Sequence, residues 1–254
     1  MILDHFRLDG RVALVTGAAQ GLGQGMAIAL AEAGADVVAL DRSATDVTDA
    51  AVATAGRRCE QVCCDLRAAS IAGLQELIAQ TVATMGRLDI LVNNAGIIRR
   101  ADALDFGEAD WDDVLQINLK AVFFLSQAAA RVMAGQGGGK IVNIASMLSF
   151  QGGVRVPSYT AAKSAVAGLT RALANEWACR NINVNAIAPG YMATDNTAPL
   201  RADEARSKDI LARIPAGRWG TPADLQGAVV FLASPAADYL HGAIIPVDGG
   251  WLAR

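Results

Sequence analysis

Apolar residues follow two rhythms along this 254-residue chain. Short β-branched runs such as Arg11-Val-Ala-Leu-Val-Thr16 are continuously apolar, the mark of a strand buried on both faces of a parallel sheet. Between them lie Ala-rich stretches with a helical period. This alternation predicts strands near 12–16, 36–41, 59–65, 89–93, 140–145, 183–188 and 244–247, and helices in the gaps, the longest near 111–133 and 158–179. Alternating strand and helix units imply an α/β fold with a doubly wound parallel sheet covered on both faces. No repeat or low-complexity linker interrupts the pattern, so residues 1–254 read as a single domain. Gly135-Gln-Gly-Gly-Gly139 reads as a loop before the fifth strand.

The first strand runs into Gly17-Ala18-Ala19-Gln20-Gly21-Leu22-Gly23, and an amphipathic helix from Met26 to about Ala33 follows, stopped by Gly34. Strand, glycine turn and helix make the first half of a βαβ unit. Such glycines permit a tight turn, close approach to a pyrophosphate and close packing of helix on strand, while the helix N-terminus offers N–H groups to the phosphates. Gly17, Gln20, Gly21, Leu22 and Gly23 are therefore candidate dinucleotide-binding residues. The second strand ends in Asp41. A carboxylate there accepts hydrogen bonds from ribose hydroxyls and repels a 2′-phosphate. Arg42 could pair with that phosphate, but Gln20 stands where a basic residue would favour it. The balance reads as NAD.

A second constellation lies in Ser158-Tyr159-Thr160-Ala161-Ala162-Lys163, with Ser146 upstream. Residues four apart share a helix face, so an ammonium would stand beside a phenol. A cation there favours the phenolate and should draw Tyr159 down toward working pH, making it a proton donor and acceptor.

Together these residues resemble the short-chain dehydrogenase/reductase family over almost the whole chain. The resemblance rests on Thr16-Gly17-x-x-x-Gly21-x-Gly23, Asp65-Leu66, Asn93-Asn94-Ala95-Gly96, the set Asn118, Ser146, Tyr159 and Lys163, and Pro189-Gly190 with Thr194 beyond. It implies a Rossmann fold of seven parallel strands in the order 3-2-1-4-5-6-7. It also implies Asp65, Leu66, Asn93, Ala95, Gly96, Pro189, Gly190 and Thr194 as further coenzyme residues. Tyr159 would be the acid/base, Ser146 would orient the substrate oxygen, Lys163 would hold the nicotinamide ribose, and Asn118 would fix a proton-relaying water. The nicotinamide carries the hydride chemistry, and the protein supplies orientation and proton handling.

Longer stretches around Asn94–Arg100, Ser146–Gly153, Gly190–Thr197 and Val247–Trp251 are similar to gluconate-type sugar-acid dehydrogenases of the family. A sugar acid needs a cation for its carboxylate and polar groups for its hydroxyls. Arg99, beside Arg100 at the carboxyl end of the fourth strand, is a candidate for the carboxylate, with Arg155, Arg201, Arg206 and Arg218 as rivals. Gln151 and Tyr191 could read hydroxyls, and 191–215 is expected to be a lid. One alternative is a 3-oxoacyl carrier-protein reductase, which usually wants NADP and so sits poorly with Asp41. Another is a nicotinamide-binding regulator without turnover, against which the complete Asn118–Ser146–Tyr159–Lys163 set argues.

A net charge of −3 gives no general attraction to nucleic acid, and no 18-residue apolar span suggests a membrane helix. Met1-Ile-Leu-Asp-His-Phe-Arg7 lacks the order of a secretory signal, so a cytoplasmic enzyme is expected. The four cysteines are expected as buried small hydrophobes, since adjacent Cys63 and Cys64 would point to opposite faces of a strand. His5 and His241 sit in no metal pattern, and no Gly-x-Ser-x-Gly surrounds Ser146. Trp111, Trp177 and Trp219 read as packing residues. The family habit implies a homotetramer, with Ala128, Ala129, Ala165, Leu169 and Leu173 as candidate packing positions.

Overall fold

Side-chain alternation along the strands divides the core into two layers. In β1 (Val12–Thr16), Ala13 and Val15 enter one apolar cluster, and Val12 and Leu14 enter the other. The computed structural model, which describes residues 1–254, joins β1 to β2 (Asp36–Asp41), β3 (Cys59–Cys63), β4 (Ile90–Asn93), β5 (Gly139–Ile144), β6 (Ile182–Pro189) and β7 (Ile244–Val247). All pairings are parallel and the order is β3-β2-β1-β4-β5-β6-β7, as the resemblance implied. The helices are α1 (Gly21–Glu32), α2 (Asp46–Thr54), α3 (Ile71–Met85), α4 (Glu108–Leu115), α5 (Val122–Gln136), α6 (Pro157–Trp177), α7 (Ala198–Ala202), α8 (Glu204–Arg213) and α9 (Ala223–Ala233).

On one face, Met26 and Leu30 of α1, Val52 of α2 and Leu225 and Val229 of α9 close over Ala13, Val15 and Val37. On the other, Leu74 and Ile78 of α3, Leu125 and Met133 of α5 and Leu173 of α6 close over Leu14, Leu40 and Leu91. Each fully buried side chain of this kind contributes about 1.5–3 kcal/mol, against the entropy of ordering the chain. Strand order reverses between β1 and β4, and open α/β sheets bind ligands at the carboxyl ends beside such a switch.

The sequence pattern missed four features. Helix α1 begins at Gly21 rather than Met26, which brings its N-terminal turn into the glycine loop. The single helix expected over 111–133 is interrupted: a π turn, Gln116–Ala121, separates α4 from α5 and carries Asn118. Apolar periodicity does not register one extra residue per turn. The cysteines are free thiols but not buried: Cys63 and Cys179 are exposed, and Cys59 and Cys64 are half-buried. Three of them lie on or beside β3, an edge strand with incomplete cover. Ala128, Ala129 and Leu173 are buried in the chain's own core and are not free to pack against a second copy. No helix is long and apolar enough to cross a membrane.

Candidate active site

A cleft of ≈ 1180 Å³ opens at the carboxyl ends of the strands, at the β1/β4 switch. Its floor is the loop from β1 to α1, lined by Gly17, Gln20, Gly21, Leu22 and Gly23. Two of these positions admit only glycine. A Cβ on Gly23 would stand 2.0 Å from the Gly17 carbonyl oxygen, and one on Gly17, whose φ is +69°, would stand 2.8 Å from Asn94 Nδ2. The result is a backbone cradle at a helix N-terminus, which fits a pyrophosphate.

Asp41 closes the cradle at the end of β2. Its carboxylate accepts from Ala19 N–H and Ser43 N–H, both at 3.0 Å, and so pins the glycine loop while lining the cleft with Arg42 and Ser43. Asp65 and Leu66, Ala95 and Gly96, and Pro189, Gly190 and Thr194 also line it. Asn93 does not. Its side chain is buried among α5 and β5, donating to Ser126 Oγ and Asn143 Oδ1 at 2.9 Å. Asn94 faces the cleft instead and donates to the carbonyls of Thr16 and Gly17. The choice within the pair follows from strand alternation continuing to the strand end.

Ser146, Tyr159 and Lys163 meet on the opposite wall. Pro157 opens α6 as its first residue, where its missing N–H is no loss, and sets Tyr159 in the first turn. Ser146 leads the short turn Met147–Ser149, with its Oγ accepting from Leu148 N–H at 3.1 Å. Ser149 joins the two segments: its hydroxyl donates to the Lys163 carbonyl at 2.6 Å and accepts from Ser146 N–H at 3.3 Å. The Ser-x-x-Ser spacing, a capping-box variant, was the available signal for it.

Lys163 is buried, donates to the Ile144 carbonyl, and lies 5.7 Å from the Tyr159 ring centroid. Burial pulls its ammonium down to about 8. Burial also pushes the Tyr159 phenol above its ordinary value, opposed by the nearby Ser146 hydroxyl and by the Arg100 charge. The expected lowering of Tyr159 by Lys163 is therefore not what this geometry gives. The ammonium stands over the ring and is directed to a backbone carbonyl.

Asn118 is fully buried and outside the cleft lining. Its carboxamide accepts from Ile97 N–H and donates to the Ile97 carbonyl, both at 2.9 Å. That pairing holds the cleft wall at Ile97.

On the substrate side, Gln151 and Tyr191 line the cleft as expected. Tyr191 packs edge-on against Trp219 and Trp251, with centroids at 5.5 and 4.8 Å. Arg99 is not in the lining. It is drawn back to Asp110 at 3.1 Å and Asp113 at 3.4 Å on α4. Arg218 is likewise paired with Asp224. Arg201, donating to the Thr194 carbonyl, also stays outside the lining. The cations that reach the cleft are Lys163, Arg42, Arg100, Arg155, Arg206 and Arg213. Arg213 and Trp251 went unnoticed as site residues, because nothing local announces that α8 and the C-terminal turn converge on Gln151. Segment 191–215 contributes α7, α8 and much of this wall, and is tied across the cleft by Gln20 to Asp195 and by Arg100 to the Asn196 carbonyl.

A family model described as enoyl-(acyl carrier protein) reductase matches residues 17–252. The chain belongs to the short-chain dehydrogenase/reductase family. Within that family it is similar to the 2-dehydro-3-deoxy-D-gluconate 5-dehydrogenase of Escherichia coli (strain K12), 62% identical over 255 residues and covering 100% of each chain. A solved structure from Agrobacterium tumefaciens with bound NADP is 58% identical, with a TM-score of 0.92 over 98% of this chain and 99% of that one. A gluconate 5-dehydrogenase from Burkholderia cenocepacia J2315, in complex with NADP and tartrate, is 40% identical, with a TM-score of 0.94 over 100% of each. This short-chain dehydrogenase/reductase is thus a nicotinamide-dependent oxidoreductase.

Proposed function

We propose that the chain is a 2-dehydro-3-deoxy-D-gluconate 5-dehydrogenase, interconverting a secondary alcohol and a ketone of a sugar acid. The observation that carries this reading is the convergence of Ser146, Tyr159 and Lys163 on a nucleotide-shaped cleft, in a chain 62% identical to that enzyme along its whole length. Several arginines reach the same cleft, which suits an acidic substrate better than the apolar tail of an acyl thioester.

The coenzyme, when bound, accepts or supplies the hydride. Tyr159 then takes the hydroxyl proton of the substrate during oxidation and returns it during reduction. Ser146 holds the same oxygen, and its hydroxyl beside the phenol favours the phenolate form of Tyr159. Lys163, fixed by the Ile144 carbonyl, presents its remaining protons to the ribose. Asn118 keeps the wall at Ile97 in place.

NAD is the coenzyme we propose, on the carboxylate of Asp41 and the uncharged Gln20. The NADP in the two related structures is the reason to measure both coenzymes. Residues 191–215 act as a lid on a single catalytic domain, in an enzyme that works as a cytoplasmic homotetramer after the family habit. The test is nicotinamide absorbance with 2-dehydro-3-deoxy-D-gluconate, D-gluconate and a 3-oxoacyl thioester offered separately. Turnover confined to the thioester would contradict the reading.

A further inference from the structure

Arg213 ends helix α8, and its guanidinium carbon lies 4.0 Å from the centroid of the Trp251 ring. Its Nη2 is 3.4 Å from Gln151 Oε1, and Trp251 Nε1 donates to that same oxygen at 3.2 Å. Trp251 is 5% exposed and held by packing, and Arg254 donates to the carbonyls of Ala212 and Arg213 at the end of the helix. Guanidinium planes stack on aromatic faces while leaving their in-plane N–H groups to ligands.

The other arginines on the substrate wall differ. Arg100 donates to the Asn196 carbonyl. Arg155 and Arg206 are exposed, as Arg213 is, but no side-chain hydrogen bond or stacking orients them. Asp209, one turn earlier on α8, lines the cleft but forms no ion pair with Arg213. Arg213 is thus a pre-oriented planar cation without a carboxylate partner, facing the cleft where an acid is read to bind. Gln151 Oε1 already accepts from two donors, and its amide nitrogen makes no bond within the chain, leaving it free to donate to a ligand.

We propose that Arg213, stacked on Trp251 and steered by Gln151, binds the carboxylate of the substrate and so selects for acids. This rests on the sugar-acid reading above. The lid helix then carries the charge that recognises the acid end, while Ser146 and Tyr159 hold the reacting oxygen. Selection against neutral sugars follows, because a ligand without the carboxylate leaves the guanidinium unpaired.

The test compares 2-dehydro-3-deoxy-D-gluconate with its neutral primary amide in wild type, Arg213→Met and Arg213→Lys, with coenzyme binding followed by nucleotide fluorescence. Arg213→Met should raise KM for the acid about 10- to 100-fold, the value of a charged hydrogen bond, with kcat nearly unchanged. KM for the amide and coenzyme affinity should stay constant, and Arg213→Lys should recover part of the acid preference. Equal changes for acid and amide, or an unchanged KM for the acid in both variants, would overturn the proposal while leaving the functional reading intact. A wild type that turns over no sugar acid would overturn both.

Discussion

The Lys163 ammonium lies against the face of the Tyr159 ring, 5.7 Å from its centroid, and gives its hydrogen bond to the Ile144 carbonyl rather than to the phenol. The pair is one helical turn apart, as its spacing required, yet the two polar tips do not meet. Burial works against both charged forms at once, raising the phenol and lowering the ammonium.

Lys163→Met should therefore stabilise the protein while removing activity. The ammonium titrates at about 8 when folded against an ordinary 10.5, so the unfolded chain holds the extra proton between those values. Wild-type stability from this group rises with pH across that window and is least below it. Denaturant unfolding without added coenzyme should show Lys163→Met more stable by about 1–3 kcal/mol at pH 7, with the advantage fading toward pH 10.5. A loss of stability at pH 7 would mean that the Ile144 hydrogen bond outweighs desolvation.

The pH profile reports on Tyr159. Ser146 and Arg100 both draw the phenol down, the hydroxyl more than the charge. Alcohol oxidation should rise with pH as Tyr159 ionises. In Ser146→Ala and Arg100→Ala that rising limb of kcat/KM should move to higher pH, further for Ser146→Ala. An unmoved limb in both would assign it to another group.

Arg99→Ala should leave KM for the sugar acid within about twofold, because its guanidinium is held by Asp110 and Asp113. The pair is partly exposed, so its loss should lower stability by no more than about 1 kcal/mol. A tenfold rise in KM would return Arg99 to the substrate.

Asp41 carries the coenzyme choice. Asp41→Ala should narrow the preference for NADH over NADPH by about tenfold or more, through weaker ribose binding and lost repulsion of the 2′-phosphate. It should also loosen the glycine loop, which depends on the bond from Ala19 N–H. Steady-state kinetics with both coenzymes decides this, and a wild type preferring NADPH would contradict the NAD assignment.

Most of the fold was legible because the central strands β1, β2 and β4 are short apolar runs closed by a distinctive residue. Thr16, Asp41 and Asn93 all end strands at the ligand side. The glycine cradle was legible for the same reason, since its spacing is set by backbone geometry. What the sequence hid is set by tertiary contacts. Asn93 and Asn94 look equivalent until strand alternation sends one to Ser126 and the other to Gly17. Arg99 and Arg100 part because Asp110 and Asp113 reach only the first. Gln151, Arg213 and Trp251 are distant in the chain, and no local pattern brings them together.

The most direct measurement is the reduced-nicotinamide absorbance of wild type and Tyr159→Phe given NAD with 2-dehydro-3-deoxy-D-gluconate, or NADH with its oxidised partner. Phenylalanine keeps the ring beside Lys163 and removes only the hydroxyl. Wild type should turn over the sugar acid, and Tyr159→Phe should lose about 10²–10⁴-fold in kcat while binding NADH with nearly unchanged affinity. A Tyr159→Phe protein with near-normal kcat on that substrate would contradict the account.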